Sequence, residues 1–391
     1  IGAGASGIIA ALKASEKNEV ILLDGNDKCG KKILLTGNGK CNYWNQSIDL
    51  QNYQTDDPEK LKKILEKQKE VFSFLEKLGI YPRIKDGYYY PYSNQSSSIQ
   101  TILNKALVKA KIVVKYHFKV SNILKKENQF VIESDEEKIV ADKVIVAAGS
   151  KAFSKTGSDG SGYKLVQNLG HHINPVLPSL VPLVGKEVPK WEGNRIETKV
   201  QLYINDQKVK EEHGELQLTD YGVSGICIFN LSGVVSKNLY LKNKVLLKIN
   251  FFKEIDNLFF FLEERSKMLK NATIEEVLES LIPYKLLLIL LQKAKINKDK
   301  NWFELSKVEK QNLVSVIQSY PLQIIDTLSF DRAQVCTGGV PLKEVGMNLE
   351  SNLVSNLYIV GEMLDVDGIC GGFNLASSFI TGYIAGSDIH D

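Results

Sequence analysis

The sequence predicts an α/β nucleotide-binding domain interrupted by a β-rich and then a helical insertion. Three observations lead there. Gly2-Ala3-Gly4-Ala5-Ser6-Gly7 opens a helix, the apolar run Val20 to Leu23 ends in Asp24, and a strand, glycine-rich loop and small-residue helix return at the far end, Asn356 to Gly386. The first two together make a βαβ unit.

Each element has a local reason. Ile8, Ile9, Ala11 and Leu12 give the first helix an apolar face, and Val20 to Leu23 is short and apolar enough for a buried parallel strand. Lys60 to Leu78 carries apolar residues at helical spacing up to Gly79, which predicts one amphipathic helix; Ser97 to Lys111 is another. Polar turns divide strands over Ile112 to Ser134, and Lys143 to Ala148 is a buried strand closed by Gly149. Short alternating strands dominate from about 185 to 255, and helices from about 256 to 320, where Thr273 with Glu276 and Ser306 with Glu309 form capping boxes. The expected division is 1–185, the first part of the nucleotide-binding domain; 186–255, β-rich; 256–325, helical; and 326–391, the return segment.

A dinucleotide fold places about five apolar residues before its first glycine. Ile1 stands directly against Gly2. The expectation is that the natural chain has a further stretch there, forming the central strand.

Composition narrows the function. The 391 residues carry a net charge of +3, with four arginines against 45 lysines. Bidentate phosphate and base contacts favour arginine, and no basic run interleaved with aromatics stands out on this reading, so no nucleic-acid partner is expected. No apolar run reaches about 18 residues, so no membrane span is expected either. Five cysteines without a CxxC pair fit a reducing cytoplasm, and the five histidines show no metal-ligand spacing. No metal is expected.

The chemistry sits at the two ends. In G-x-G-x-x-G the first glycine permits a tight turn, the second lets backbone approach a diphosphate, and the third allows close packing, while the helix N-terminus offers free N–H groups. Asp24 is placed to accept hydrogen bonds from ribose hydroxyls. NAD and FAD read alike here. The loop Gly371-Gly372 before a helix separates them: it allows backbone to approach a large planar ligand and aims a helix N-terminus at it, which suits the negative charge of a reduced flavin.

The segments GKKILLTGNGKCN (Gly30 to Asn42), KTGSDGSGY (Lys155 to Tyr163), LPSLVPL (Leu177 to Leu183), GELQLTDYGVSGI (Gly214 to Ile226), CTGGVPLKEV (Cys336 to Val345) and GEMLDVDGICGGFNL (Gly361 to Leu375) stand in this order along the chain. With them the chain resembles, over nearly its whole length, a bacterial family of NAD(P)/FAD-dependent oxidoreductases. That family includes aminoacetone-oxidase-like proteins and a clostridial bile-acid enone reductase. The resemblance implies a Rossmann-like FAD-binding domain with an inserted β-barrel-like plus helical domain. It implies FAD contacts at Gly2, Gly4, Ala5, Ser6, Gly7, Asp24, Lys31, Lys32 and Gly39. Val120, Ala148 and Gly149 would lie on the adenine side, and Glu362, Asp365, Gly372, Asn374 and Leu375 near the ribitol and ring. Asp24 stands where the family has glutamate, Lys40 where arginine is usual, Ile226 in place of proline, and Ala376-Ser377 in place of bulkier residues.

The flavin would perform the electron transfer and the protein would orient it. Thr219 and Tyr221 are candidates to donate a hydrogen bond or proton to substrate, and Thr337 with the Gly338-Gly339 backbone to line the flavin face. Without a CxxxxC pair no redox-disulfide relay is available. Without a second dinucleotide fingerprint, NAD(P)H would bind only transiently, or oxygen would reoxidise the flavin. The expected function is FAD-dependent redox chemistry on a small organic substrate, such as a bile-acid-like enone. An oxygen-using amine oxidase is the alternative, and a flavin-containing RNA- or protein-binding or redox-sensing module is the alternative of another class.

Overall fold

The computed structural model describes residues 1–389 and divides into two units, Ile1–Ser179 with the return segment from Phe330, and Leu180–Ser329.

In the first unit, parallel pairing joins Ile21–Leu23 to Val113–Lys115 and Val144–Val146 to Leu357–Ile359. Residues 1 and 2 lie between these pairs: Ile1 N donates to Ile145 O and Ala147 N to Ile1 O, each at 2.8 Å, and Gly2 N donates to Leu23 O at 2.7 Å. Leu22, Leu23, Val144, Val146, Leu357 and Ile359 are buried, as central parallel strands covered on both faces must be. The first helix, Ala5–Ala14, and the last, Phe373–Asp388, pack backbone to backbone. A β-carbon on Gly382 would collide with Ser6 O, and one on Gly386 with Ala10 O. Small residues in the last helix thus bring together the two ends of the chain.

Smaller antiparallel sheets complete this unit. One is Asn122–Lys126, Gln129–Glu133 and Lys138–Ala141. A second is Trp44–Asn45, Tyr88–Pro91 and Pro82–Lys85, and two-stranded pairs join Asn174–Ser179 to Val335–Gly339 and Tyr53–Thr55 to Val366–Gly368. The single helix expected over Lys60 to Leu78 is two, Pro58–Leu65 and Gln68–Lys77. Glu66 N and Lys67 N donate to carbonyls three residues back, Lys63 O and Ile64 O, which tightens the turn and interrupts the α-helical ladder.

The second unit is a closed six-stranded antiparallel barrel. Its order is Leu183–Gly185, Gly222–Ser224, Gln207–Leu218, Arg195–Ile204, Val245–Asn250 and Tyr320–Thr327, the last pairing back to the first. This unit takes in both the segment expected as a β-rich domain and the segment expected as a helical one. The reason is topological: the helices between Leu258 and Gln318 are an excursion between two adjacent barrel strands, Leu247 pairing with Leu322, so both share one core that includes Trp191 and Trp302. Both capping boxes form, Glu276 N donating to Thr273 Oγ1 and Glu309 N to Ser306 Oγ.

Candidate functional site

The glycine loop of the first unit is shaped partly by the protein and partly for something else. Gly2 has φ +95° and a β-carbon there would collide with Ala147 O; one on Gly7 would collide with Gly2 O. These two glycines serve packing. Gly4 differs: a β-carbon on it would meet no atom within 4 Å. Gly4 is the N-cap of the first helix, no side chain caps that helix, and no acidic residue sits in its first turn. An open face over an uncapped helix N-terminus fits an anionic diphosphate, held by the N–H groups of Gly4, Ala5, Ser6 and Gly7.

Asp24 holds that loop in place. Its Oδ2 accepts from Ala3 N at 2.6 Å, and its Oδ1 accepts from Asn26 N at 2.7 Å and Asn26 Nδ2 at 2.9 Å. A carboxylate has about four acceptor sites. Three are used within the protein, which leaves one for a ribose hydroxyl. Around Asp24, Phe118 N donates to Asp24 O, His117 N to Asn26 O, and Asn26 Nδ2 to Thr156 O. Val120 is buried two residues beyond Phe118. Ala148 follows the carbonyl of Ala147 beneath Gly2, and Gly149, at φ +75°, would place a β-carbon 2.6 Å from Ser158 Oγ.

The C-terminal loop reaches the same region. A β-carbon on Gly361 would collide with Ser6 Oγ. Lys32 Nζ donates to Glu362 Oε2 at 2.6 Å, and Ser150 Oγ donates to the same oxygen at 3.2 Å. Lys31 instead pairs with Asp27 at 2.7 Å. Beyond Lys32 the chain runs left-handed through Gly37, Asn38 and Gly39, all exposed. Asp365 is buried and accepts from Gly338 N at 2.9 Å and Asn174 Nδ2 at 2.7 Å. Beside it Thr337 is wholly buried and its Oγ1 has no hydrogen-bond partner. A buried hydroxyl without a partner costs about 1–3 kcal/mol, so this atom fits a site that a polar ligand completes.

Gly371 and Gly372 are closely packed where a side chain would stand. A β-carbon on Gly372, at φ +89°, would stand 2.5 Å from Trp44 O, and one on Gly371 would stand 2.7 Å from the Phe373 ring and 2.9 Å from the Tyr88 ring. On the side a β-carbon would take, these two glycines meet the protein's own backbone and aromatics. Asn374 is also engaged, bonded both ways to Gly368 at 2.8 Å, and Leu375 packs against the core. What remains for a ligand is the uncapped N-terminus of the last helix at Gly372.

Thr219 and Tyr221 belong to the second unit, on the turn between Gln207–Leu218 and Gly222–Ser224. Thr219 Oγ1 accepts from Gly222 N at 3.1 Å and its carbonyl accepts from Trp191 Nε1 at 3.0 Å, so this threonine closes its own turn. Cys29, Cys41, Cys227 and Cys336 are buried free thiols. Burial pushes Cys41 up to about 11 and raises Cys336, so neither thiol is a thiolate nucleophile at neutral pH. Among the described residues no three His, Cys, Asp or Glu side chains group to hold a metal ion, and no helix is long and apolar enough to cross a membrane.

Sequence reading missed Asn26, Ser150 and Asn174, and one larger feature. Residues 81–92, YPRIKDGYYYPY, hold five tyrosines with Arg83, Lys85 and Asp86. They form a hairpin in which Arg83 pairs with Tyr90 and Lys85 with Tyr88. The spacing of apolar residues hid it, because Tyr and Pro on a short edge read as an ordinary turn-rich strand pair.

The family model described as HI0933-like protein Rossmann domain matches residues 1–388. The chain is 38% identical, over 99% of its own length and 97% of the other, to a 3-dehydro-bile acid delta(4,6)-reductase from Clostridium scindens. It is 25% identical, over 100% of its length and 96% of the other, to a ribosomal RNA dihydrouridine synthase from Escherichia coli. Among solved structures, the 3-ketosteroid-delta4-(5alpha)-dehydrogenase from Rhodococcus jostii RHA1 aligns over 100% of this chain and 95% of that one, with TM-score 0.51 and 14% identity. A flavocytochrome c3 fumarate reductase aligns over 100% and 77%, with TM-score 0.52 and 15% identity. At such identities these two structures are evidence of fold alone.

Proposed function

Because the chain belongs to the HI0933-like Rossmann-domain family and is an FAD-dependent oxidoreductase, we propose that it reduces a carbon–carbon double bond conjugated to a carbonyl, using NAD(P)H as transient donor. The observation that carries this reading is the 38% identity to a delta(4,6)-reductase over 99% of the chain. The two relatives' names support the reaction class: delta(4,6) double bonds conjugated to a 3-oxo group and the 5,6 bond of uracil are all alkenes activated by a carbonyl. A small bile-acid-like enone is the favoured substrate.

FAD, when bound, supplies two-electron transfer. The chain's part is binding and placement. Gly4, Ala5, Ser6 and Gly7 offer N–H groups to the diphosphate, and Asp24 offers its last acceptor site to ribose. Gly2 shapes the turn, while Val120, Ala148 and Gly149 border the adenine side. Lys31, Lys32, Gly39, Glu362 and Asp365, with Gly372, Asn374 and Leu375 at the start of the last helix, surround the rest. The net reaction adds hydride to the β carbon and a proton to the α carbon while NAD(P)H is oxidised. The substrate carbonyl gains negative charge as hydride arrives, and a buried hydroxyl such as Thr337 Oγ1 would stabilise it by donating a hydrogen bond.

Anaerobic mixing with NADH or NADPH tests the reading. Flavin absorbance should bleach with one nicotinamide and return on adding an enone. Bleaching by amines alone, with peroxide released in air, would replace the reading with an amine oxidase.

A further inference from the structure

Reduction of an enone needs a proton for the α carbon as well as a hydride for the β carbon. A side chain placed to give that proton lies against the loop before the last helix. Tyr88–Pro91 is the middle strand of a three-stranded sheet, between Trp44–Asn45 and Pro82–Lys85, and its register sets Tyr88 opposite Asn45 on one side and Lys85 on the other. Asn45 Nδ2 donates to Gly371 O at 2.8 Å, which fastens this end of the sheet to the glycine loop. The Tyr88 ring meets the same loop: a β-carbon on Gly371 would stand 2.9 Å from it. The next residue, Gly372, is the N-cap of the 16-residue helix Phe373–Asp388, and no side chain caps that helix.

The tyrosines around Tyr88 are otherwise engaged. Tyr53 OH donates to Phe373 O at 2.9 Å, and Tyr163 OH donates to Glu362 O at 3.1 Å. Tyr43 is wholly buried. Tyr89 turns onto the Phe72 ring, with centroids 5.5 Å apart, and Tyr90 lies beside Gly37 rather than Gly371. Tyr88 is half-buried, and its hydroxyl makes no hydrogen bond among the described residues.

Two neighbours favour a phenol that gives up its proton here. The uncapped helix N-terminus puts positive dipole beside the ring and stabilises the phenolate left behind. Lys85, directly opposite, is exposed and makes no ion pair among the described residues, so its ammonium can approach the same oxygen. Asp86, the next residue at the exposed turn, works against both.

We infer that Tyr88 is the proton donor to the α carbon, an assignment that rests on the site being an enone reductase. NAD(P)H is the reductant. A C–H bond forms at the β carbon with the hydride's electron pair, and the alkene π pair moves toward the carbonyl. The α carbon then takes the proton as the Tyr88 O–H bond breaks, and water reprotonates the phenolate.

The test uses FAD-loaded Tyr88→Phe, which keeps the ring and removes only the hydroxyl, with a 3-oxo-4-ene bile acid as probe. Three quantities are read: bleaching of the flavin by NAD(P)H, its return on adding the probe, and probe affinity for the oxidised protein with no donor present. The variant should bleach at the wild-type rate and bind the probe within about twofold, while the return slows about 100-fold or more. In heavy water, wild type should place deuterium on one face of the α carbon, and the variant, protonated by water, on both. Tyr92→Phe, whose ring is 65% exposed just past the strand, should match wild type throughout. A wild-type rate of return in Tyr88→Phe overturns the inference. So does a loss of probe affinity as large as the loss of rate, or loss of flavin from the variant, since either makes Tyr88 a binding or packing residue. All three outcomes leave the enone reading standing. A wild-type flavin that bleaches but does not return with the probe removes the enone reading, and the inference with it.

Discussion

Substituting Gly4 separates ligand space from packing space in the glycine loop. Its backbone lies at φ −83° and ψ −167°, an extended conformation open to any residue, and a β-carbon there meets nothing within 4 Å. Gly4→Ala should therefore leave the protein without FAD almost as stable as before. The remaining cost is the poorer N-cap, about 1 kcal/mol, or roughly 2–4 °C in melting temperature for a unit of this size. With FAD the methyl group would stand where the diphosphate approaches the helix N-terminus. Losing one or two charge-assisted hydrogen bonds there costs about 3 kcal/mol, near a hundredfold in Kd. The assay is calorimetric titration of FAD into deflavinated wild type and variant, with thermal melts of both. Gly7→Ala is the control: its β-carbon collides with Gly2 O, so it should lower stability whether or not FAD is present. Wild-type FAD affinity in Gly4→Ala would mean that the diphosphate lies elsewhere. A fall in melting temperature of the flavin-free Gly4→Ala protein as large as that of Gly7→Ala would mean that the open face is not open.

Asp24→Ala should lose both FAD affinity and stability, by about 2–4 kcal/mol in stability, because three internal hydrogen bonds end on this carboxylate; an unchanged melt would remove it from the loop's support. Gly372→Val should prevent folding rather than tune the flavin potential, since its β-carbon would stand 2.5 Å from Trp44 O at φ +89°; a normal melt with a shifted potential would restore the ligand-facing reading. Thr337→Val deletes a hydroxyl that has no partner, so the flavin-free protein should be as stable or about 1 kcal/mol more so, while FAD or enone binding weakens. Equal binding in that variant would make the threonine a packing residue. Cys41, raised by burial to about 11, should stay protonated and unreactive toward a thiol reagent at pH 8 and react only on unfolding; fast labelling of the folded protein at Cys41 would contradict its burial.

Some of this was written in short stretches of chain. The G-x-G-x-x-G turn, the strand ending in Asp24, and the capping boxes at Thr273 and Ser306 depend on residues within a few positions of one another, and local hydrogen bonding and periodicity dictate them wherever they occur. Even the pairing of the two ends was legible, because glycine loops bracketing a long insertion have few other uses. Which glycines leave open space beside them was not legible. Gly4 and Gly372 look alike in sequence, yet one opens on empty space and the other on the carbonyl of Trp44, some 330 residues away along the chain from the Gly372 position. Likewise Asp24 reads as a ribose acceptor, and only the fold shows that Ala3 and Asn26 already hold most of it. The hairpin of residues 81–92 owes its pairing to strand register, which sets Arg83 against Tyr90. The helical insertion joins the barrel because Leu247 pairs with Leu322. In each case the deciding contact lies between segments far apart in sequence, where sterics and register, rather than local preference, choose what a side chain meets.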